Sequence, residues 1–183
     1  MIYPITLQQA GLSVGIALLA GHLLALFRPA DVRNFLSDFP RSRPLGIILL
    51  AVAAVWSFYL VRTMDLGEFA PLRTPLQIAV PVLAILAAIY VPDFLAVRSL
   101  GMLALLAAEP LLGAAFLRPE WTRLFLVTLA YVWILAGLFW VGMPWLLRDQ
   151  LNWVTNTPSR FRAAAFGGAA YGALLTGLAA ALW

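Results

Sequence analysis

Six apolar runs, roughly 5 to 27, 44 to 61, 75 to 91, 99 to 117, 124 to 147 and 163 to 182, leave this chain few choices of fold. A helix rises about 1.5 Å per residue and the hydrocarbon slab of a bilayer is about 30 Å thick, so each run has the length of one crossing. Backbone N–H and C=O groups inside lipid must bond within their own segment, which makes a helix the natural form of every run. The sequence therefore reads as an all-α, polytopic integral membrane protein, a single domain over 1–183 with about six transmembrane helices. Its composition fits that solvent: 63% of residues are hydrophobic and 11% charged, against about 25% charged in soluble domains. The first run has no basic segment ahead of it, which favours a retained helix over a cleaved signal peptide.

A polar elbow occurs twice. Asp31-Val32-Arg33-Asn34-Phe35-Leu36-Ser37-Asp38-Phe39-Pro40 returns 118 positions later as Asp149-Gln150-Leu151-Asn152-Trp153-Val154-Thr155-Asn156-Thr157-Pro158. Asp31, Asn34 and Pro40 match Asp149, Asn152 and Pro158, and most other exchanges are near-isosteric. Each copy lies between two apolar runs, so helices 1–2 and 5–6 are expected to be hairpins related as a parallel internal repeat about an axis along the membrane normal. Both elbows have the spacing of short interfacial helices, with Phe35, Leu36 and Phe39 on one apolar face and Leu151 and Val154 on another.

All 12 basic residues are Arg. Assigning successive loops to alternate faces puts Arg28, Arg33, Arg41, Arg43, Arg98, Arg148, Arg160 and Arg162 on the elbow side and Arg62, Arg73, Arg118 and Arg123 on the other. That bias predicts cytoplasmic elbows and periplasmic termini. The Arg-only, Ala- and Leu-rich usage points to a bacterial inner membrane. The net charge of +4 is spread over helix ends rather than gathered in a patch, so anionic lipids, and not nucleic acid, are the expected counter-charges.

Two side chains stand out for chemistry. Glu109 lies near the middle of the fourth run, beside Pro110; an acidic group at such a depth costs about 2.5–3.5 kcal/mol, so it should face protein or water. It is a candidate intramembrane proton or cation site, and the plainer expectation is a carboxyl hydrogen-bonded to Tyr131, Thr128 or Tyr171. His22, the single histidine, lies about 9 Å inside the elbow end of helix 1. A neutral imidazole there could ligate haem or chlorophyll axially, with Gly21 and Ala25 leaving room for a flat ring; the plainer expectation is a packed, hydrogen-bonded histidine.

Other patterns concern packing. Gly11/Gly15, Ala17/Gly21, Gly168/Gly172 and Ala173/Gly177 have the small-xxx-small spacing that lets helix backbones approach, which predicts that the first and last helices pair. Thr74-Pro75 and Thr157-Pro158 read as helix starts, with a capping hydroxyl before a proline. Pro81 and Pro144 are kink sites. Trp145 and Trp153 suit the interface, and Trp133 and Trp140 a deeper face.

With no cysteine there is no disulfide, thiol redox chemistry or thiolate metal site. No paired carboxylates, Ser/His/Asp set, metal cluster, phosphate loop or dinucleotide fingerprint occurs, so no catalytic residue and no metal site is assigned. The expected function is a non-enzymatic accessory or structural subunit of a larger membrane complex, with other membrane subunits and lipids as partners. The alternatives are a small transporter or channel using Glu109, and a haem- or chlorophyll-binding subunit using His22.

Overall fold

The computed structural model describes residues 3–183, and every regular element among them is helical. The chain runs α1 (Leu7–Phe27), α2 (Pro29–Asp38), a 3₁₀ turn (Phe39–Arg41), α3 (Arg43–Thr63), a second 3₁₀ stretch (Gly67–Leu72) and α4 (Arg73–Tyr90). It continues with α5 (Leu95–Ala115), α6 (Arg123–Gly142), α7 (Trp145–Thr155) and α8 (Pro158–Ala181). Six of these, α1, α3, α4 with its 3₁₀ lead-in, α5, α6 and α8, are long and apolar enough to cross a membrane. The protein is thus a multi-pass bundle of apolar helices.

Prolines and short caps set the boundaries. Thr6 opens α1 as a capping box: its hydroxyl accepts from Gln9 N–H at 3.2 Å and Gln9 Oε1 accepts from Thr6 N–H at 3.1 Å. Pro29 breaks α1 by forcing the preceding Arg28 to φ −127°, ψ 62°, and Pro144 breaks the fifth run by forcing Met143 to φ −127°, ψ 71°. That second break corrects the expected span of 124 to 147: the run stops at Gly142, and Trp145 already belongs to α7. Pro81 and Pro110 lie inside α4 and α5 without ending them. Of the two expected Thr-Pro caps, Thr157 holds the cap position of α8 but its hydroxyl is buried without a partner. Thr74 is not a cap at all, because the 3₁₀ stretch feeds αR backbone straight through Leu72 into Arg73.

Both elbows are helices, α2 and α7, and they touch each other at one end of the bundle. Arg33 Nη2 on α2 donates to the Thr155 carbonyl at the last residue of α7, 2.6 Å away. At the opposite end Trp183 Nε1 donates to Thr122 Oγ1 at 2.7 Å, bringing the C-terminus beside the start of α6.

The helices joined by an elbow do not pack as the expected hairpins. The long seams are α1 with α8, α5 with α6, α3 with α5, and α3 with α4. The reason is length: a ten-residue elbow helix spans about 15 Å, beyond the 8–10 Å between packed helix axes, so each elbow holds its two flanking helices apart. The two elbows also differ in register from the motif match. Arg28 to Met143 and Ser42 to Thr157 are both steps of 115, one helical turn short of the 118 that aligns Pro40 with Pro158. Pro40 consequently lies in the 3₁₀ turn that ends α2, whereas Pro158 is the first residue of α8.

The packed centre is α5. Its Ala108, Leu111, Ala114 and Ala115 join Leu126 and Ala130 of α6, Leu7 and Ala10 of α1, and Leu175 of α8. Its other end, at Ala96 and Val97, receives Phe39 from the first elbow and Leu147 from the second. Helix α4 buries no residue, and Ile78, Leu83, Ile85 and Ile89 stand exposed along it. In lipid that exposure is ordinary, since hydrocarbon is as apolar as the side chains.

Candidate functional site

Glu109 points out of the bundle. Its neighbours Ala108 and Leu111 are buried, and the next residue on that face one turn along, Gly113, comes within 4.0 Å of Glu109 Oε1 if given a Cβ. The carboxylate opens into a shallow groove of about 380 Å³ between α5 and α6, walled by Leu105, Ala108, Leu112, Gly113, Phe116 and Ile134. No hydrogen bond or ion pair reaches it among the described residues. The three partners expected for it are engaged or turned away. Thr128 donates back to Leu124 O at 2.8 Å, Tyr171 donates to Phe125 O at 2.8 Å, and Tyr131 is exposed elsewhere on α6. Six residues separate Glu109 from the end of α5 at Ala115, about 9 Å along the axis, so a bilayer covering that helix would surround the carboxylate with hydrocarbon.

His22 lies in the seam between α1 and α8. Its Nδ1 is 2.7 Å from Leu18 O, and since a carbonyl only accepts, Nδ1 carries the proton and donates. The free nitrogen, Nε2, faces Gly168 so closely that a Cβ there would overlap the ring. Gly21, expected to open space for a flat ligand, has open space around its Cα, but the imidazole is turned the other way, into α8.

That seam is built from the predicted small residues. A Cβ at Gly15 would collide with Thr176, one at Gly172 with Leu19, and one at Gly11 with Ala179 and the Trp183 ring. Glycine is required here by the approach of two backbones, and the predicted pairing of first and last helices is realised. The second predicted set is not used in this way: Gly21 and Gly177 meet nothing within 4 Å.

A matching seam between α5 and α6 escaped the sequence reading. Gly101 and Gly137 face each other, each Cβ position falling within 2.9 Å of the other's carbonyl oxygen. The signal was present as a seven-residue spacing of small residues, Gly101, Ala108 and Ala115 on one helix and Ala130 and Gly137 on the next, all buried. A third close approach, Gly46 of α3 against Ala96 of α5, carries a buried hydrogen bond from Ser99 Oγ to Gly46 O at 3.2 Å.

The arginines have a structural use beyond face bias. Arg98 Nη1 donates to Val141 O at 2.5 Å, Arg123 Nη1 to Ala115 O at 2.7 Å, Arg73 Nη2 to Met64 O at 2.8 Å, and Arg33 Nη2 to Thr155 O. Each guanidinium sits on carbonyls at the C-terminal end of a helix, α6, α5, α3 and α7 respectively, where the helix dipole is negative. The remaining elbow residues are solvated polar groups: Asp31 pairs with Arg28 at 3.8 Å, Asp149 with Arg148 at 2.8 Å, and Asn34 and Asn152 are exposed. Among the described residues no three His, Asp or Glu side chains gather as a metal site.

No family model, curated protein or solved structure matches the chain.

Proposed function

We propose that this chain is a non-enzymatic accessory or structural subunit of a larger membrane protein complex, in the bacterial cytoplasmic membrane with elbows inside and both termini periplasmic. The observation that carries the reading is the outward-facing, unpaired Glu109 in an apolar groove on a helix long and apolar enough to cross a membrane. Left in hydrocarbon, a carboxyl group costs about 2.5–3.5 kcal/mol, and a neighbouring subunit's helix bearing a hydrogen-bond donor or a cation would offset that cost. Gly113 leaves the room such a helix needs. On this reading other membrane subunits and anionic lipids are the partners, and α1–α2–α3 and α6–α7–α8 are two related helix–elbow–helix units serving as scaffold.

A transporter or channel using Glu109 is the competing reading, and it requires a water-filled passage to the carboxylate. The groove walls, Leu105, Leu112, Phe116 and Ile134, are apolar. A tetrapyrrole on His22 would require the imidazole to leave its seam with Gly168, and a Soret band in the purified protein is its test.

Extraction in mild detergent should recover the chain with stoichiometric partners. Glu109→Gln, which keeps a hydrogen-bonding group, should retain them, and Glu109→Leu should weaken the association at least tenfold, a change of about 1.4 kcal/mol or more. A monodisperse monomer whose behaviour is identical in all three forms would falsify the subunit reading.

A further inference from the structure

Where the two elbows meet, a shallow open cleft of about 400 Å³ is lined by Ala30, Arg33, Asn34 and Ser37 of α2 and by Thr155 of α7. Those four α2 positions are i, i+3, i+4 and i+7, one stripe of a helix, polar at every place but Ala30. The opposite side of the same helix is apolar: Val32 and Leu36 pack with Val154 of α7 against Ala25, Phe161 and Ala165. Helix α2 thus turns its apolar side into the bundle and its Arg33-Asn34-Ser37 side into the cleft.

We infer that this cleft binds a phosphate group, presented by the headgroup of an anionic phospholipid on the elbow face of the membrane. Arg33 is partly buried and held in place by its bond from Nη2 to Thr155 O. Its other N–H donors have no protein partner among the described residues, and no carboxylate pairs with it: Asp31 lies 3.8 Å from Arg28, Asp149 pairs with Arg148, and Asp38, one turn beyond Asn34, forms no ion pair. A planar guanidinium fixed on one edge and free on another is suited to a phosphate's paired oxygens. The Asn34 side-chain amide likewise makes no hydrogen bond, so it supplies a neutral donor one residue on; Ser37 Oγ donates to Asn34 O at 2.7 Å and can only accept from a ligand in that state. Ala30, with only a methyl group, leaves the space. The depth is that of headgroups: Phe35 on α2 and Trp153 on α7 are 53% and 61% exposed on the same two helices, an arrangement that anchors amphipathic helices at the lipid–water boundary. This assignment rests on the anionic-lipid part of the proposed function but not on its partner subunits, since it uses the opposite end of the molecule from Glu109's half of α5 and needs no partner chain.

The test is native mass spectrometry and thermal unfolding of the purified chain in mild detergent with added phosphatidylglycerol, phosphatidylcholine, or inorganic phosphate. Wild-type protein should retain phosphatidylglycerol over phosphatidylcholine and unfold at a higher temperature with it. One basic residue near anionic headgroups is worth about 1 kcal/mol, so Arg33→Gln should weaken retention about fivefold. Asn34→Asp, at an exposed position that cannot disturb the core, should weaken it as well by placing a carboxylate in the cleft. Arg118→Gln, a loss of the same charge at the far end of the bundle, should leave retention unchanged. Competition by millimolar inorganic phosphate would keep the site but assign it to a soluble phosphate; lack of competition assigns it to the lipid. Equal phosphatidylglycerol retention by wild type, Arg33→Gln and Asn34→Asp would overturn the inference.

Discussion

At the scale of single residues, the arginines show how one side-chain type can do work that charge counting misses. Arg98 lies partly buried near the elbow end of α5, and its Nη1 closes the end of α6 at Val141 O while its Nε stays buried without a partner. A lysine there would reach one carbonyl with a point charge and lose the planar fork, so the exclusive use of Arg has a physical advantage at these helix ends. Arg98→Met should lower the stability of the bundle by about 1–2 kcal/mol, the range for a partly buried cation at a helix C-terminus; thermal unfolding in detergent measures it, and an unchanged Tm would show that the contact contributes nothing. Leu117 makes the opposite case. It follows α5 at φ 56°, in the left-handed region, and is 81% exposed, so its side chain gives no packing in exchange for that conformation. Left-handed backbone costs an L-residue about 1–2 kcal/mol and glycine far less. Leu117→Gly should therefore raise the unfolding temperature, an effect of about 0.5–1 kcal/mol once the greater freedom of the unfolded glycine is subtracted.

At the scale of elements, small-residue spacing is a sound guide to which helices meet for only one of the three close approaches. Gly11, Gly15, Gly168 and Gly172 were legible because four-residue spacing in two helices named both partners. The Gly101–Gly137 contact repeats every seven residues instead, and Glu109-Pro110, set in the same stretch of α5, drew attention to chemistry rather than to packing. Substituting Gly172→Leu should separate α1 from α8, because Leu19 N and Gly15 O leave no room for even one carbon. Gly177→Leu, a matched change five residues further along α8 in open space, should be silent. A protease-accessibility or unfolding comparison of the two variants checks this, and equal sensitivity would remove the seam from the account. Both elbows form helices, as their spacing predicts. Pro40 and Pro158 act differently, since a proline that follows one helix and a proline that begins another look alike as letters while acting on opposite helix ends.

At the scale of the whole molecule, six helices are long and apolar enough to cross a membrane, and the contact between α2 and α7 puts both elbows at one end of the bundle, opposite the Trp183–Thr122 contact. The absence of cysteine makes orientation directly measurable, because any introduced thiol is the sole one present. Phe35→Cys on the exposed side of α2 and Phe69→Cys on the 3₁₀ stretch at the other end, 53% and 66% exposed, should label from opposite sides of an intact membrane. Phe69→Cys should react with an impermeant reagent added outside, and Phe35→Cys only after permeabilisation; the reverse pattern would invert the proposed orientation, and labelling of both from one side would break the topology.

Apolar run length determined by itself the class of fold and the number of helices long enough to cross, since the thickness of hydrocarbon and the rise of a helix fix the length needed. Position along the run also indicated that Glu109 lies within an apolar helix, but the observed ends of α5 place it six residues from Ala115 rather than at mid-helix. Which way the Glu109 and His22 side chains face was decided only in three dimensions. A helix in lipid has no polar side to mark its exterior, so hydropathy is nearly blind to rotation about the axis, and the packing of Gly101 on Gly137 and of Gly15 on Gly172 is what turned Glu109 outward and His22 inward.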